Sequence, residues 1–196
     1  MSTQWMIASV FALSVLSSCV GPTLPQGVSA AMTEAPTDTP ARLWVDRDRV
    51  VAVATPVGPG GLPAPVRNRL DLLAPEGEVL FAGQEWGPAG AGFRVEKRLI
   101  QDNIEWFSSF LLTATGAVLE RTHSEPLETV PAEVLESAML IGRHVFRCEI
   151  VSGPQQEQAW RATVQDGGGR KFLVRISLDG QLQTAQRVLN AVVHAQ

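Results

Sequence analysis

Several residue types are scarce in this chain of 196 residues, and each scarcity excludes a class of protein. Only two cysteines occur, Cys19 and Cys148, which excludes a disulfide-rich scaffold. The net charge is −4 with a pI near 5.4, and the basic residues are spread along the chain. The sequence therefore lacks the concentrated basic field that binding of nucleic acid requires. The basic residues are 14 arginines and two lysines, which favours arginine patches that pair with carboxylates.

The N-terminus lacks charge altogether, because no Asp, Glu, Lys or Arg occurs between Met1 and Thr33. Within it, "WMIASVFALSVL" (5–16) is an apolar run of the length of a signal-peptide core, too short to span a bilayer as a helix. We predict a signal peptide over residues 1–18 and export of the chain. Apolar residues make up 45% of the sequence, enough for the core of one or two small globular domains.

The signal-peptide core is followed by "LSSC", Leu16 to Cys19, which resembles the lipoprotein box of exported bacterial proteins. The resemblance implies that Cys19 is lipidated and that the protein is a membrane-anchored lipoprotein facing the periplasm. The alternative is cleavage after "VSA" (28–30), which gives a secreted soluble protein. Residues 19–41 hold Pro, Thr, Ala and Gly without apolar periodicity, which predicts a flexible tether.

Two stretches that lie 68 positions apart carry the same helical pattern. Pro63 aligns with Pro131 near the start of each stretch, where the missing N–H of proline costs nothing. Apolar residues recur on one helical face at matching positions in both stretches: Leu62, Val66, Leu70 and Leu73 in the first, and Val130, Val134, Ala138 and Ile141 in the second. The pattern predicts helices over 62–74 and 130–141.

Each predicted helix is followed by four predicted strands, with turn sequences such as "DGGG" (166–169) and "DG" (179–180) between them. We therefore predict an α+β fold of two tandem repeats, 62–124 and 129–192, each with one helix packed on a four-stranded antiparallel meander. An extra β-hairpin (42–57) precedes the repeats and either adds two strands to the sheet or caps its edge.

The second unit carries a resemblance to a known family. "VPAEVL", its short helix, and "AWRATVQDGGGRKFLVRISLDGQLQTAQRVL" look like the PepSY-like domains of bacterial exported proteins, which are grouped with the β-lactamase-inhibitor-like fold. The resemblance covers about residues 62–190 and is most specific over 129–188. It implies two helix-plus-sheet units standing side by side in one curved sheet, and a role in binding or inhibiting other proteins.

Strand alternation predicts which sheet face is left free of the helices. Trp160, Ala162 and Val164 should face the helix, as should Trp106 and Phe110 in the first unit. The opposite face then combines arginine, aromatic and aliphatic side chains, a composition typical of interface anchors. The candidate partner-binding residues on that face are Arg94, Arg98, Phe107, Leu111, Arg161, Leu173 and Arg175. The alternative is that this face is covered by the N-terminal hairpin, by the tether or by solvent.

The sequence contains no recognisable catalytic arrangement. His123, His144 and His194 are isolated, without metal-ligand spacing, and "DGGGRK" lacks the residues that end a phosphate-binding loop. "HVFRCEIVSG" alternates so that Cys148 faces the core and Arg147 and Glu149 the other side. We expect no enzyme activity, no metal and no cofactor.

These features together predict a non-enzymatic cell-envelope binding protein that recognises an envelope or exported protein or peptide through an exposed sheet face. Two alternatives remain open. One is an inhibitor of an exported hydrolase of the peptidase or β-lactamase type, and the other is a structural envelope lipoprotein.

Overall fold

A computed structural model of the chain describes residues 39–47, 49–88, 90–154 and 157–193. The predicted signal peptide, the lipidation site Cys19 and the tether up to residue 38 lie outside the described residues. The first strand begins at Thr39, three residues before the predicted start of the N-terminal hairpin. Neither helix among the described residues has the length and apolar character needed to cross a membrane.

Among the described residues, ten strands and two α-helices form the architecture. Strands β1 to β10 are Thr39–Asp46, Arg49–Pro56, Glu78–Gly87, Gly90–Gln101, Ile104–Leu112, Val118–Glu125, His144–Ser152, Gln158–Gln165, Lys171–Ile176 and Leu182–Val193. Helix α1 (Ala64–Leu73) connects β2 to β3, and helix α2 (Ala132–Met139) connects β6 to β7. All neighbouring strands are antiparallel, and each pairs with its neighbour in the chain.

The sheet closes on itself through the N-terminal hairpin. Strand β2 pairs with β3, with Val53 opposite Trp86, and strand β1 pairs with β10, with Leu43 opposite Leu189. The ten strands therefore form a closed barrel in the order β1-β10-β9-β8-β7-β6-β5-β4-β3-β2. Closure removes the unpaired N–H and C=O groups that β3 and β10 would otherwise present at the edges of an open sheet.

The predicted fold class is wrong in its architecture. The expected α+β fold, with two tandem helix-on-meander repeats and an exposed sheet face, is replaced by a single closed β-barrel with two short helices on its outside. The extra hairpin adds two strands to the sheet, which was one of the two predicted alternatives, and it pairs with both ends of the sheet at once. The physical reason is that this pairing joins strands far apart in sequence, which local periodicity does not report.

The two helices lie where the apolar pattern predicts them. Pro63 and Pro131 stand at the N-caps of α1 and α2 with extended backbone, so each helix begins directly after a proline. Val66 and Leu70 of α1 and Val134 and Ala138 of α2 are buried against the outer face of the sheet. Each helix thus covers a separate apolar core on the outside of the barrel.

Strand alternation sends the apolar side chains outwards to the helices and the polar ones inwards. Val95, Phe110 and Leu112 pack against α1 in one core. The other core packs strand residues Cys148, Trp160, Ala162, Val164, Val174 and Ile176 against α2. These cores confirm the predicted parity for Phe110, Trp160, Ala162 and Val164, whereas Trp106 belongs to neither core. Because the sheet is closed, the opposite face becomes the wall of the lumen.

Candidate functional site

Five of the seven candidate partner-binding residues come together in the lumen of the barrel. They line one cavity of about 240 Å³: Arg94, Leu111, Arg161, Leu173 and Arg175. The prediction that their face is exposed is wrong, since Arg94 and Leu111 retain only 6% and 3% of their accessible surface. The N-terminal hairpin contributes the missing wall, with Trp44, Val51 and Ala52 lining the same cavity.

The cavity opens at the end of the barrel that carries the β3–β4 turn. Gly87, Pro88 and Gly90 line it there, and Pro88 and Gly90 are exposed. On the far side of the opening, Thr184 of β10 is also exposed and lies directly opposite Arg175 in the pairing of β10 with β9. A ligand can therefore reach the cavity from this end, which we call the open end.

A buried ion pair joins two neighbouring strands inside the lumen. Arg94 of β4 donates from Nη2 to Oε1 of Glu85 on β3 at 2.9 Å, and its Nε donates to the second carboxylate oxygen, Oε2. Both side chains are more than 90% buried. The contact is bidentate, the geometry in which arginine and carboxylate match best. Nη1 of Arg94 also donates to Oγ of Ser109 at 3.0 Å.

A second set of ionic contacts lies on β6, β7 and β8. Arg161 of β8 donates from Nε to Oε2 of Glu149 at 2.9 Å and from Nη2 to Oγ1 of Thr122 at 3.1 Å. Glu149 is 1% exposed, and Nε of Arg147 lies 3.3 Å from its Oε1, within ion-pair distance but without hydrogen-bond geometry. Arginine side chains thus surround the most buried carboxylate of the lumen.

Glu120 of β6 connects the two sets. Its Oε1 accepts hydrogen bonds from Nη1 of Arg94 at 3.0 Å and from Nη1 of Arg161 at 3.1 Å. The resulting chain of contacts runs Glu85–Arg94–Glu120–Arg161–Glu149. These residues lie on β3, β4, β6, β8 and β7 in that order, and β5 contributes no charge to the chain. Each charge is held by opposite charges, which a charge in such a buried position requires.

The pKa values follow from burial and from these contacts. Burial by itself lowers the pKa of Arg94, but the charges of Glu85 and Glu120 and the hydrogen bonds to them outweigh it and raise that pKa. Burial raises the pKa of Glu120, but the charges of Arg94 and Arg161 prevail and leave it below its usual range. Both groups therefore stay charged near neutral pH.

Another part of the cavity wall is apolar and includes an aromatic ring. Trp44, Ala52 and Ala54 form a buried cluster inside the barrel, against which Leu173 packs. The guanidinium carbon of Arg94 lies 5.9 Å from the Trp44 ring centroid. The cavity thus combines apolar and ionic side chains, the mixture that small-molecule sites use for affinity and orientation.

The other two candidate residues lie away from this cavity. Arg98 lies near the C-terminal end of β4. Its Nη2 donates to Oε2 of Glu78 at 2.7 Å and its Nη1 donates to Oε1 of Glu105 at 3.4 Å. Phe107 lies at the end of the barrel opposite the open end, with the guanidinium carbon of Arg147 4.6 Å from its ring centroid.

Phe107 lines a second cavity of about 260 Å³, a groove between the beginnings of β5 and β7. The residues of this end groove are Ile104, Glu105, Trp106, Phe107, Ser124, Glu125, Pro126, Leu127, Phe146 and Arg147. Ile104 and Phe146 are 46% and 47% exposed. The groove therefore presents apolar side chains to solvent.

The sequence reasoning missed the carboxylates that complete the ionic chain. Glu85 and Glu120 were not among the candidate residues, although they lie on the same sheet face as the arginines. Both lie in stretches that the sequence predicts as strands, Glu85 in "EVLFAGQEW" and Glu120 in "AVLERTH". The informative signal was the presence of acids and arginines together on one face, which indicates pairing of these charges within the protein.

The two described histidines, His123 and His144, hold surface positions. Nε2 of His123 lies 3.0 Å from Oε1 of Glu125, and the His144 ring packs edge-on against Phe146 at 4.5 Å between centroids. Among the residues that the structure describes, no group of three or more His, Cys, Asp or Glu side chains has the geometry of a metal site. What the lumen can do chemically is hold and orient a ligand by charge, hydrogen bonds and apolar contact.

The comparisons with known proteins are sparse. Neither a family model nor a curated protein matches the sequence. Among solved structures, a proposed periplasmic protein from Bacteroides eggerthii has a TM-score of 0.45 at 15% identity, and the match covers 64% of this chain and 88% of that one. A DUF2874 family protein from Bacteroides uniformis has a TM-score of 0.44 at 14% identity, with the same coverages of 64% and 88%.

A BLIP-like protein from Bacteroides fragilis has a TM-score of 0.41 at 16% identity, and the match covers 68% of this chain and 89% of that one. Likenesses with TM-scores below 0.5 transfer neither family nor function to this chain. The PepSY-like membership, the lipid anchor and the periplasmic location stay predictions.

Proposed function

We propose that this protein is a non-enzymatic binding protein of the cell envelope that holds its ligand in the lumen of the barrel. The single observation that carries the proposal is the cavity of about 240 Å³, in which five candidate binding residues face three residues of the N-terminal hairpin. The face that the sequence marks as a recognition surface thus acts as the inner wall of a pocket.

The volume indicates what can enter. Pockets for drug-sized ligands measure about 300–1,000 Å³, so this cavity suits a smaller molecule or the end of a chain. The ionic chain holds the polar part of the wall in place, because Arg94 and Arg161 each make hydrogen bonds from three nitrogen atoms. A wall fixed before the ligand arrives lowers the entropic cost of binding.

Blocking the open end tests the proposal. A fragment collection that includes acids, amines and neutral compounds would be screened by ligand-observed NMR against the wild type and against Thr184→Trp, whose indole would obstruct the cavity opening. Arg187→Trp is the matched control. Arg187 is exposed on the same strand, and it lies on the opposite face of that strand from Gln186, which lines the cavity. We expect fragments that bind the wild type and the control but not Thr184→Trp. Fragment binding that is unchanged in Thr184→Trp would contradict the proposal.

The end groove supports a second candidate function, the recognition of an exported protein or peptide. Strand β6 ends at Glu125, which pairs with Cys148 of β7, and its pairing with β5 begins at Ser108. Strand β6 therefore does not extend between the first residues of β5 and the first residues of β7, and the groove lies in this gap. An extended segment of a partner could add there as a strand, with its apolar side chains against Phe146 and Ile104.

This second candidate includes the inhibitor alternative, since an inhibitor must contact its hydrolase through an exposed surface. It is tested by crosslinking in envelope extract with Phe146→Asp, which places a charge in the groove. Leu178→Asp is the matched control, because Leu178 is 53% exposed but lies in the β9–β10 connection. Loss of a crosslinked product in Phe146→Asp alone would support the groove as a docking surface, and equal products in both variants would exclude it.

A further inference from the structure

Arg175 differs from the other arginines of the cavity in the use of its donors. Its Nε donates to Oε1 of Gln183 at 3.2 Å, and among the described residues its Nη atoms have no hydrogen-bond partner. Arg94 and Arg161, in contrast, use all three nitrogen atoms of the guanidinium for contacts within the protein. The guanidinium of Arg175 therefore keeps a planar pair of nitrogen donors available at the open end of the cavity.

Among the described residues, those that line the cavity carry one more positive charge than negative charges. Three arginines line it, Arg94, Arg161 and Arg175, against two carboxylates, Glu85 and Glu120. The neighbouring Arg147 and Glu149 do not change this balance, because they carry one charge of each sign. A ligand with a single negative charge would neutralise the site, whereas a dianion such as a phosphate monoester would leave an excess negative charge close to Glu120.

The apolar side chains of the cavity limit the rest of the ligand. Trp44, Leu111 and Leu173 offer ring and aliphatic surface to the cavity beside the ionic chain, with Leu111 on β5 directly opposite both Arg94 and Glu120. A volume of about 240 Å³ corresponds to roughly eight water molecules at about 30 Å³ each. This leaves room for a short apolar body of several carbon atoms beside the charged group.

We infer that the lumen binds a small monocarboxylate, with the carboxylate on the Nη atoms of Arg175 and the apolar body against Trp44, Leu111 and Leu173. Planar carboxylate and guanidinium groups match in a two-point contact, which gives orientation as well as affinity. The inference deepens the proposed function and rests on it. The same carboxylate chemistry is offered by a free carboxylic acid and by the C-terminus of a peptide.

Isothermal titration calorimetry with octanoate and with its neutral analogue octanamide tests the charge requirement. We expect octanoate to bind the wild type at least tenfold more tightly than octanamide does. Arg175→Gln should lose that preference, and Arg175→Lys, which keeps the charge without the planar fork, should retain part of it. Arg187→Gln is the matched control and should bind octanoate like the wild type. Circular dichroism and the unfolding midpoint of each variant confirm that it is folded.

A second pair of probes distinguishes the two sources of the carboxylate. The tripeptide Ala-Ala-Leu is titrated with a free C-terminus and with an amidated one. Tighter binding of the free-acid peptide than of octanoate assigns the site to a chain end, and the reverse order assigns it to a free acid. Both results support a carboxylate site.

Two outcomes would overturn the inference. Equal affinity for octanoate and octanamide, or unchanged octanoate binding in Arg175→Gln, would show that Arg175 does not recognise a carboxylate. Failure of every acid probe would show the same. In each case the proposed function stands if other fragments still bind the wild type and are lost in Thr184→Trp, so the two failures can be told apart.

Discussion

Arg94 and Arg161 donate hydrogen bonds to the same atom, Oε1 of Glu120, from 3.0 and 3.1 Å. One arginine lies on β4 and the other on β8, and each also binds a glutamate of the strand before its own, Glu85 or Glu149. Glu120 is therefore the link between two ion pairs that would otherwise be separate. The pairs and their link stiffen the polar wall of the lumen, and this has measurable consequences.

Replacing Glu120 should change the dependence of stability on pH. The pKa of Glu120 is lowered in the folded state. Its charge therefore stabilises the folded protein at any pH above the pKa that glutamate has in the unfolded chain, near 4.3. That contribution is lost as the pH falls from this value through the lower pKa of the folded state. Glu120→Gln should cost about 3 kcal/mol at pH 7, because two arginines lose their shared partner. Urea titrations from pH 7 to pH 3 should show the difference between variant and wild type shrinking below about pH 4.3. A difference that stays constant over this range would contradict the assignment.

Removing Arg94 alone should be worse than removing it together with its partner. Arg94→Met leaves the carboxylate of Glu85 buried and unpaired, which should cost about 3–5 kcal/mol of unfolding free energy. The double variant Glu85→Met with Arg94→Met should recover most of that loss, since Glu120 keeps its contact with Arg161. Chemical denaturation of the wild type, both single variants and the double variant completes the cycle. Additive losses would show that the pair is not coupled.

The pairing between strands β2 and β3, which we call the seam, should be sensitive to the addition of a single methyl group. It holds four residue pairs, from Val53–Trp86 to Pro56–Gly83, the shortest ladder in the described barrel. A Cβ at Gly83 would lie 2.5 Å from the Phe81 ring and 2.7 Å from the carbonyl oxygen of Thr55, so Gly83→Ala must push the strands apart. Hydrogen exchange should become faster at this seam.

Gly60→Ala serves as the control for the seam, because a Cβ at Gly60 meets no atom within 4 Å. Its exchange along β2 and β3 should match the wild type. Equal hydrogen exchange in both variants would mean that the β2–β3 pairing tolerates the added atom. Closure of the barrel would then not require a glycine at position 83.

A glycine in the β9–β10 connection positions helix α2. Gly180 has a φ of 83°, and a Cβ there would lie 2.8 Å from Cβ of Glu133 in the first turn of the helix. Gly180→Ala combines backbone strain with this collision and should cost about 2–3 kcal/mol. Gly90→Ala, at a φ of 93° with no atom within 4 Å, isolates the strain and should cost about 1 kcal/mol. Thermal unfolding of both variants measures the difference, and equal losses would exclude a contact effect.

Cys148 should be unreactive while the protein is folded. Its side chain is fully buried in the core under α2, and burial, followed by the charge of Glu149, raises the pKa of the thiol to about 11. Iodoacetamide at pH 8 should leave the Cys148 peptide unmodified in buffer and alkylate it in concentrated urea, as read by peptide mass spectrometry. Rapid alkylation in buffer would place this cysteine outside the core.

The local pattern of the sequence was sufficient for the elements and for their faces. The two proline-led stretches are helices, and Val66 and Val134 are buried as their spacing predicts. The alternation along β8 correctly separated Trp160, on the helix side, from Arg161, on the other side. These features are readable because side-chain direction depends on strand or helix periodicity, a property of neighbouring residues.

The candidate site was identified in part. Arg94, Arg161 and Arg175 share one cavity, but their expected exposure was wrong, because exposure depends on what covers a face. The covering element is the hairpin of β1 and β2, whose strand β1 pairs with a strand more than 140 positions later in the sequence, as Leu43 does with Leu189. Trp44, which completes the cavity, could not be connected with Arg94 from sequence spacing.

The sequence by itself determined the secondary structure, the apolar stripes that bind each helix to its sheet, and the polar face on which the arginines lie. Only the tertiary structure decided that this face is a lumen and that Arg94 and Arg161 are held there by Glu85, Glu120 and Glu149. It also places Arg175 at the open end, where its Nη atoms have no hydrogen-bond partner among the described residues. The physical reason is that periodicity is set by neighbouring residues, whereas closure depends on the edges of the sheet. Pairing of the hairpin with both edges satisfies backbone groups of strands that are distant in the chain.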